Sequence, residues 1–302
     1  MRPSLVAFLL AVSTAVASPS LADPSAQSPR LFAQDKIVST GRISVEVVGE
    51  GPYLVLIPGL ASSRETWRAT AERLKDHYRL HLVEVAGFAG EPARDNGAGP
   101  VLEPTAEAID AYIREQGLAP ATVIGHSLGG TMILWLAIHH PQDLRRALVV
   151  DALPDFAQVM MGPGATPDSV KPMAEGIRRA PPLPAAANEK MLAAMVSGAD
   201  NRKMVAAWSQ ASDPSTVQNA LADDLELDLR PDLGRLHTPI TLLYPDNGPV
   251  GAPPGAMDGF YKSAFAGAPT IRLVRVDKSL HFIMLDQPAA FSEALDAFLA
   301  AH

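Results

Sequence analysis

The sequence predicts an α/β fold, with a mostly parallel sheet covered by helices on both faces and a helical segment inserted between two of its strands. Three observations predict it. Short apolar runs alternate with helical stretches from Ile43 to Val150. The same rhythm returns after residue 236. Between these blocks, residues 154–235 are rich in proline and short helical candidates and hold no convincing strand.

Taken in order, Ile43–Val48 alternates and Tyr53–Ile57 is a short apolar run, with Gly49-Glu50-Gly51-Pro52 between them reading as a hairpin turn that would make this pair antiparallel. Ser62 and Glu65 have capping-box spacing and open a helix reaching about His77. A strand at Leu80–Val85 and a Pro/Gly-rich loop follow. Next come a helix over Thr105–Gln116, a strand over Ala121–Gly125, a helix over Leu128–His140 that Pro141 ends, and a strand over Ala147–Val150. Within the inserted stretch, Lys190–Val196 and Asn201–Gln210 are helical candidates. Six of the ten methionines fall there: Met160, Met161, Met173, Met191, Met195 and Met204. Their ordinary use is adaptable core; the functional alternative is a pliable lining for an apolar substrate. An insertion without strands of its own reads as a helical cap, a common cover for active sites. Past it lie a strand at Ile240–Tyr244, a helix near Ala256–Phe265, a strand at Ile271–Val276 and a helix over Pro288–Ala301.

These elements divide the 302 residues into a leader (1–22), a first core segment (23–153), the cap (154–235) and a second core segment (236–302). Arg2 followed by the apolar run Leu5–Ala17 reads as a secretory signal peptide, with small-residue cleavage points after Ala17 or Ala22, and implies a secreted or periplasmic protein. Thirteen apolar-rich residues are too few for a permanent span, which needs about 20, so no stable membrane insertion is expected. Acidic residues outnumber basic ones 33 to 25, a sign that argues against nucleic acid as partner. Cysteine is absent, which excludes thiol nucleophiles and thiolate metal sites. No His-Glu-x-x-His run, P-loop lysine or dinucleotide spacing is present, so neither metal nor cofactor is expected.

The chemistry centres on Gly125-His126-Ser127-Leu128-Gly129. A strand precedes it, a helix follows it, and small flanking residues let the turn close while the serine hydroxyl stays exposed above the sheet edge. This nucleophile-elbow pattern makes Ser127 the candidate nucleophile, and the backbone N–H of Leu128 a candidate donor to an oxyanion. The plainer reading is a glycine-rich helix start.

At these residues the chain resembles the α/β-hydrolase superfamily, in its lid-bearing serine hydrolase and esterase branch. Besides the elbow, Ile57-Pro58-Gly59-Leu60, Ser279-Leu280-His281-Phe282 and Asp286-Gln287-Pro288 are similar to that family's motifs, and the resemblance spans nearly all of the sequence after the leader. It implies the α/β-hydrolase fold, with the serine first and the histidine last along the chain. His281, in the loop before the final helix, is then the base. His126 is the variable elbow residue, His139 and His140 end a helix, and His77, His81, His237 and His302 read as surface or packing positions. The resemblance further implies the N–H of Leu60 as the second oxyanion donor; Pro58 stands where many relatives have histidine, but the donor is backbone. Two aspartates compete to orient the histidine. Asp246 follows the strand that most often supplies the acid in this superfamily, but arrives earlier than the usual pattern. Asp151 ends the strand after the elbow helix, where some lid-bearing members place it, and is favoured because that strand would bury it. Asp277 is a distant third.

A serine, a histidine, an aspartate and two oxyanion donors together specify acyl transfer, most often to water. The expected activity is hydrolysis of a small-molecule carboxylic ester, with lactones and thioesters as close variants and an apolar group under the cap. Turnover needs a neutral imidazole and should fall as acid protonates it. Serine at the elbow tip argues against dehalogenases and epoxide hydrolases, whose members carry aspartate there. Two other functions stay open: a ligand-binding receptor of the same fold with little turnover, and an acyltransferase. Phe88 and Trp67 either reach the pocket or plug the core.

Overall fold

The structure is a computed structural model that describes residues 30–32, 36–162, 164–181, 185–246 and 255–301, with residues 185–188 followed only as backbone. The leader read at residues 1–22 lies outside the described residues. In chain order the first half comprises β1 (Lys36–Ser39), β2 (Ile43–Val48), β3 (Tyr53–Ile57), α1 (Arg68–Leu74), β4 (Arg79–Val85), α2 (Leu102–Glu115), β5 (Ala121–His126), α3 (Leu128–His139) and β6 (Leu144–Val150). Among the described residues, five helices follow without an intervening strand: α4 (Ala157–Met161), α5 (Pro167–Arg179), α6 (Ala185–Met195), α7 (Ala199–Ala211) and α8 (Pro214–Glu226). The chain then returns to the sheet through β7 (Ile240–Pro245), α9 (Ala256–Ala264), β8 (Ile271–Val276), α10 (Ile283–Asp286) and α11 (Pro288–Ala300).

The eight strands form one sheet in the order β1-β2-β4-β3-β5-β6-β7-β8. From β4 to β8 along that order all neighbours are parallel, whereas β2 runs antiparallel to both β1 and β4. Side-chain alternation divides the core between the two faces. Leu54, Leu56, Leu80 and Leu82 pack toward Ala71 of α1 and Phe291, Leu295 and Phe298 of α11. Val55, Ile57, Val83 and Val123 pack toward α2, α3 and α9.

The hairpin expected between β2 and β3 does not form. β4 lies between these strands, pairing antiparallel with β2 and parallel with β3. The glycines serve a close approach instead. Gly49 has φ +79°, and a side chain on it would sit 2.3 Å from the Lys75 carbonyl; on Gly51, at φ +120°, it would sit 2.4 Å from that of His77. The turn therefore presses against the α1–β4 connection, which carries β4 into the gap. The expected capping box shifts by one residue: Ser63, not Ser62, accepts the Glu65 N–H and starts a 3-10 turn over Arg64–Trp67 ahead of α1. Helix α1 accordingly ends at Leu74, short of His77, and α2 begins at Leu102, ahead of Thr105.

Two anchorages hold peripheral segments. The fully buried Glu46 of β2 accepts N–H groups from Leu31 and Phe32, each at 2.8 Å, and faces Arg64 at 3.5 Å. At the insertion, Asp223 of α8 accepts the N–H groups of Val101 and Leu102 at 2.6 and 3.2 Å, satisfying donors at the start of α2, and binds Arg178 of α5 at 2.9 Å. The Asp213 N–H reaches the Gly87 carbonyl at 2.7 Å, and Thr216 Oγ1 donates to the Asn96 carbonyl at 3.0 Å. Phe88, between these points, is fully buried in the core, as is Trp67 against Phe291. Both plug the interior.

Candidate active site

Strand β5 passes into α3 through a single residue, Ser127, whose φ of 52° and ψ of −123° are costly for a side chain with a Cβ. Its N–H is held by the Val150 carbonyl and its own carbonyl accepts the Thr131 N–H, both at 2.9 Å. Small residues make the bend feasible: a Cβ on Gly129 would lie 2.5 Å from the Pro58 carbonyl, so α3 presses directly on the turn that follows β3. That turn carries Leu60, followed by Ala61 at φ 51°. The N–H of Leu128 opens α3 and has no acceptor within the helix. Among the described residues neither it nor the Leu60 N–H has a hydrogen-bond partner. The helix dipole adds to the attraction of a negative atom at this spot.

His281 stands in the loop between β8 and α10. The buried Ser279 shapes that loop by donating to the Val276 carbonyl at 2.8 Å. The His281 ring lies 4.5 Å from that of His126, the residue just before Ser127, so the loop rests on the elbow. His126 is sandwiched, with Phe282 at 4.6 Å, and its Nε2–H donates to the His281 carbonyl at 3.1 Å. Burial, and then the neighbouring His281, push the His126 pKa well below 6.5, so it serves as a neutral donor. Ser127 Oγ makes no hydrogen bond to a described residue; nucleophile–base contacts commonly tighten only around substrate.

Asp151 ends β6 at φ 49°, its N–H fixed by the Leu243 carbonyl at 2.8 Å. Its Oδ2 lies 2.7 Å from His281 Nδ1, and its Oδ1 accepts the hydroxyl of Tyr261 from α9. Burial, followed by the Asp151 charge, raises the Tyr261 pKa well above 10, which keeps it a donor. Tyr244 stacks on it at 4.7 Å. Asp246 is not joined to His281; its N–H bonds the Val276 carbonyl at 3.2 Å and its carboxylate has no hydrogen-bond partner among the described residues. Asp277 pairs with Arg275 at 2.8 Å. The structure thus brings His281 to Asp151 and leaves the other two aspartates out of contact with it.

Asp224 of α8 is a further buried group here. It hydrogen-bonds Thr131 in the first turn of α3 and interacts electrostatically with His281, and its pKa rises to about 7, chiefly through burial. Its Oδ1 has no hydrogen-bond partner among the described residues. Neither Asp224 nor Tyr261 stands out in the sequence: Asp224 falls in a part of the insertion with no expected helix, and Tyr261 is one residue among others in the helix expected near Ala256–Phe265. His126 was visible only as the variable residue of the elbow. Among the described residues one metal-ligand grouping occurs, Glu107, Asp110 and His140. It lies at the end of α3 opposite Ser127, where Arg114 already meets Asp110 at 2.9 Å.

Residues 54–294 match the model of the alpha/beta hydrolase family. A pimeloyl-(acyl-carrier protein) methyl ester esterase from Vibrio cholerae is 27% identical over 265 residues, covering 84% of this chain and 96% of that one. The enzyme of the same name from Aeromonas hydrophila is 29% identical over 277 residues, covering 85% and 99%. Among solved structures, a hydrolase from Pseudomonas aeruginosa superposes with a TM-score of 0.72 at 19% identity, over 89% of this chain and 99% of that one. An enol-lactonase from Burkholderia xenovorans gives 0.70 at 17%, over 88% and 100%.

Proposed function

The chain belongs to the alpha/beta hydrolase family, and on that premise we propose that it is a serine hydrolase of carboxylic esters working through Ser127, His281 and Asp151. The observation that carries this reading is the 2.7 Å contact of His281 Nδ1 with Asp151 Oδ2, made by a loop that rests on the elbow. Asp151 accepts a hydrogen bond from Nδ1–H, which holds the tautomer in which Nε2 is unprotonated and free to act as base. Nε2 takes the Ser127 proton as Oγ attacks the ester carbonyl. The N–H groups of Leu60 and Leu128 hold the resulting oxyanion. Collapse expels the alcohol, protonated by His281, and leaves an acyl-enzyme that water, activated by the same base, hydrolyses. The two esterase relatives, matched over almost their whole length, support ester hydrolysis as the reaction class.

The helical insertion acts in this reading as a cap over the serine, with an apolar group of a small ester beneath it. In the same reading, the leader features of residues 1–22 set out above direct the protein to a secreted or periplasmic location. Hydrolysis of short- and long-chain nitrophenyl esters tests the activity. Wild type should turn over at least part of this series, and Ser127→Ala should lose about a thousandfold or more in kcat. A Ser127→Ala variant as fast as wild type would remove the serine from the mechanism.

A further inference from the structure

The backbone on both sides of His281 is tied to the helical insertion. On one side, Asp286 at the end of α10 divides its carboxylate between two partners. Its Oδ2 accepts the Leu280 N–H at 2.8 Å, and its Oδ1 accepts both the N–H and the hydroxyl of Ser197, in the turn between α6 and α7, each at 2.8 Å. On the other side, the Phe282 N–H donates directly to the Met195 carbonyl at the end of α6, at 3.1 Å. The carbonyl of His281 itself is held by His126 from the elbow. The histidine is therefore placed by two bodies, the sheet beneath it and the insertion beside it.

We propose that Asp286 is a positioning residue that couples the α6–α7 turn to the base, so that His281 takes its working position only while that turn is docked. This rests on the reading of His281 as the base. Asp286 contacts neither the imidazole nor the reacting atoms; it acts through the Leu280 peptide. A carboxylate suits the task because three donors converge from two directions, and each of its oxygens can accept. An amide has one oxygen, and turning it toward either partner points its NH2 at a donor on the other. Other attachments do not reach the Leu280 peptide: Phe282 N–H to the Met195 carbonyl, and Asn201 Nδ2 to the Leu285 carbonyl at 3.3 Å, hold the segment after His281, while Asp223, Asp213 and Thr216 fasten α8 to α2 and to the loop after β4.

The test compares wild type, Asp286→Asn, Ser197→Ala and the double variant on a short nitrophenyl ester, with active sites titrated by a fluorophosphonate so that kcat refers to working molecules. Asp286→Asn should lower kcat per titrated site about tenfold with KM within about twofold, as expected for a displaced catalytic group. Ser197→Ala, at an exposed position where folding is not at risk, should lower it about threefold. The double variant should be no worse than Asp286→Asn alone, because both changes break one bridge. A purely structural role would reduce the titrated fraction or Tm and leave kcat per site unchanged in both single variants, and that result would overturn the coupling. Failure of wild type to show Ser127-dependent labelling would instead overturn the underlying reading of the site, and the coupling with it.

Discussion

Ser127 and Asp151, each the residue directly after a strand, hold φ near +50°, as does Ala61 in the turn beyond β3. Such a conformation costs about 1–3 kcal/mol for a non-glycine residue and persists only where surrounding bonds over-determine it. For Ser127 and Asp151 those bonds are the Val150 and Leu243 carbonyls. The carboxylate of Asp151 is also fully used, one oxygen on His281 and the other on Tyr261. Asp151→Asn should therefore lower kcat about a thousandfold or more while Asp246→Asn stays near wild type, as steady-state kinetics would show; the reverse order would move the acid to Asp246. The contact of Asp151 with His281 could be anticipated because the apolar strand Leu148-Val149-Val150 buries an aspartate at its end beside the histidine loop. That of Tyr261 could not, since in a short amphipathic helix its ring reads as one more apolar contact and its hydroxyl leaves no trace in the periodicity.

The elements themselves follow the hydrophobic rhythm closely, whereas their pairing does not. A glycine-rich link between two apolar runs carries the same local signal whether it closes a hairpin or slides under a third strand. Only the packing of Gly49 and Gly51 on residues 75–78 decides it. The helices of the insertion were legible in part, through their apolar spacing. The way α8 fastens to α2 was hidden, because Asp223 satisfies donors more than a hundred residues away in sequence. Asp223→Ala should cost about 1–2 kcal/mol of unfolding free energy, the usual worth of a helix cap, measured as a shift in urea midpoint. An unchanged midpoint would mean that the start of α2 is satisfied by water.

Across the whole molecule, buried titratable groups set how stability responds to pH. The Asp224 pKa rises from 3.8 to about 7, so between those values the unfolded chain has released a proton that the folded protein keeps. Its contribution to stability is full below about pH 4, declines as pH rises toward 7 and then levels off. His81 works in the opposite direction: burial lowers its pKa from 6.5 to about 4, so stability is lost as pH falls through that window. Asp224→Asn should gain on wild type by about 1–3 kcal/mol between pH 4 and pH 8, read from urea unfolding at the two values. A gain running the other way would show that Asp224 is ionised in the fold. Neither group stands out in the sequence, because burial of an aspartate or a histidine depends on elements that meet only in three dimensions. The bridge at Asp286 carries a consequence of a different kind. On the coupling proposed above, an α6–α7 turn prised away would draw the imidazole out of register by the same movement. A molecule so built could not stand ajar and armed at once, and water entering then would meet a serine that keeps its proton.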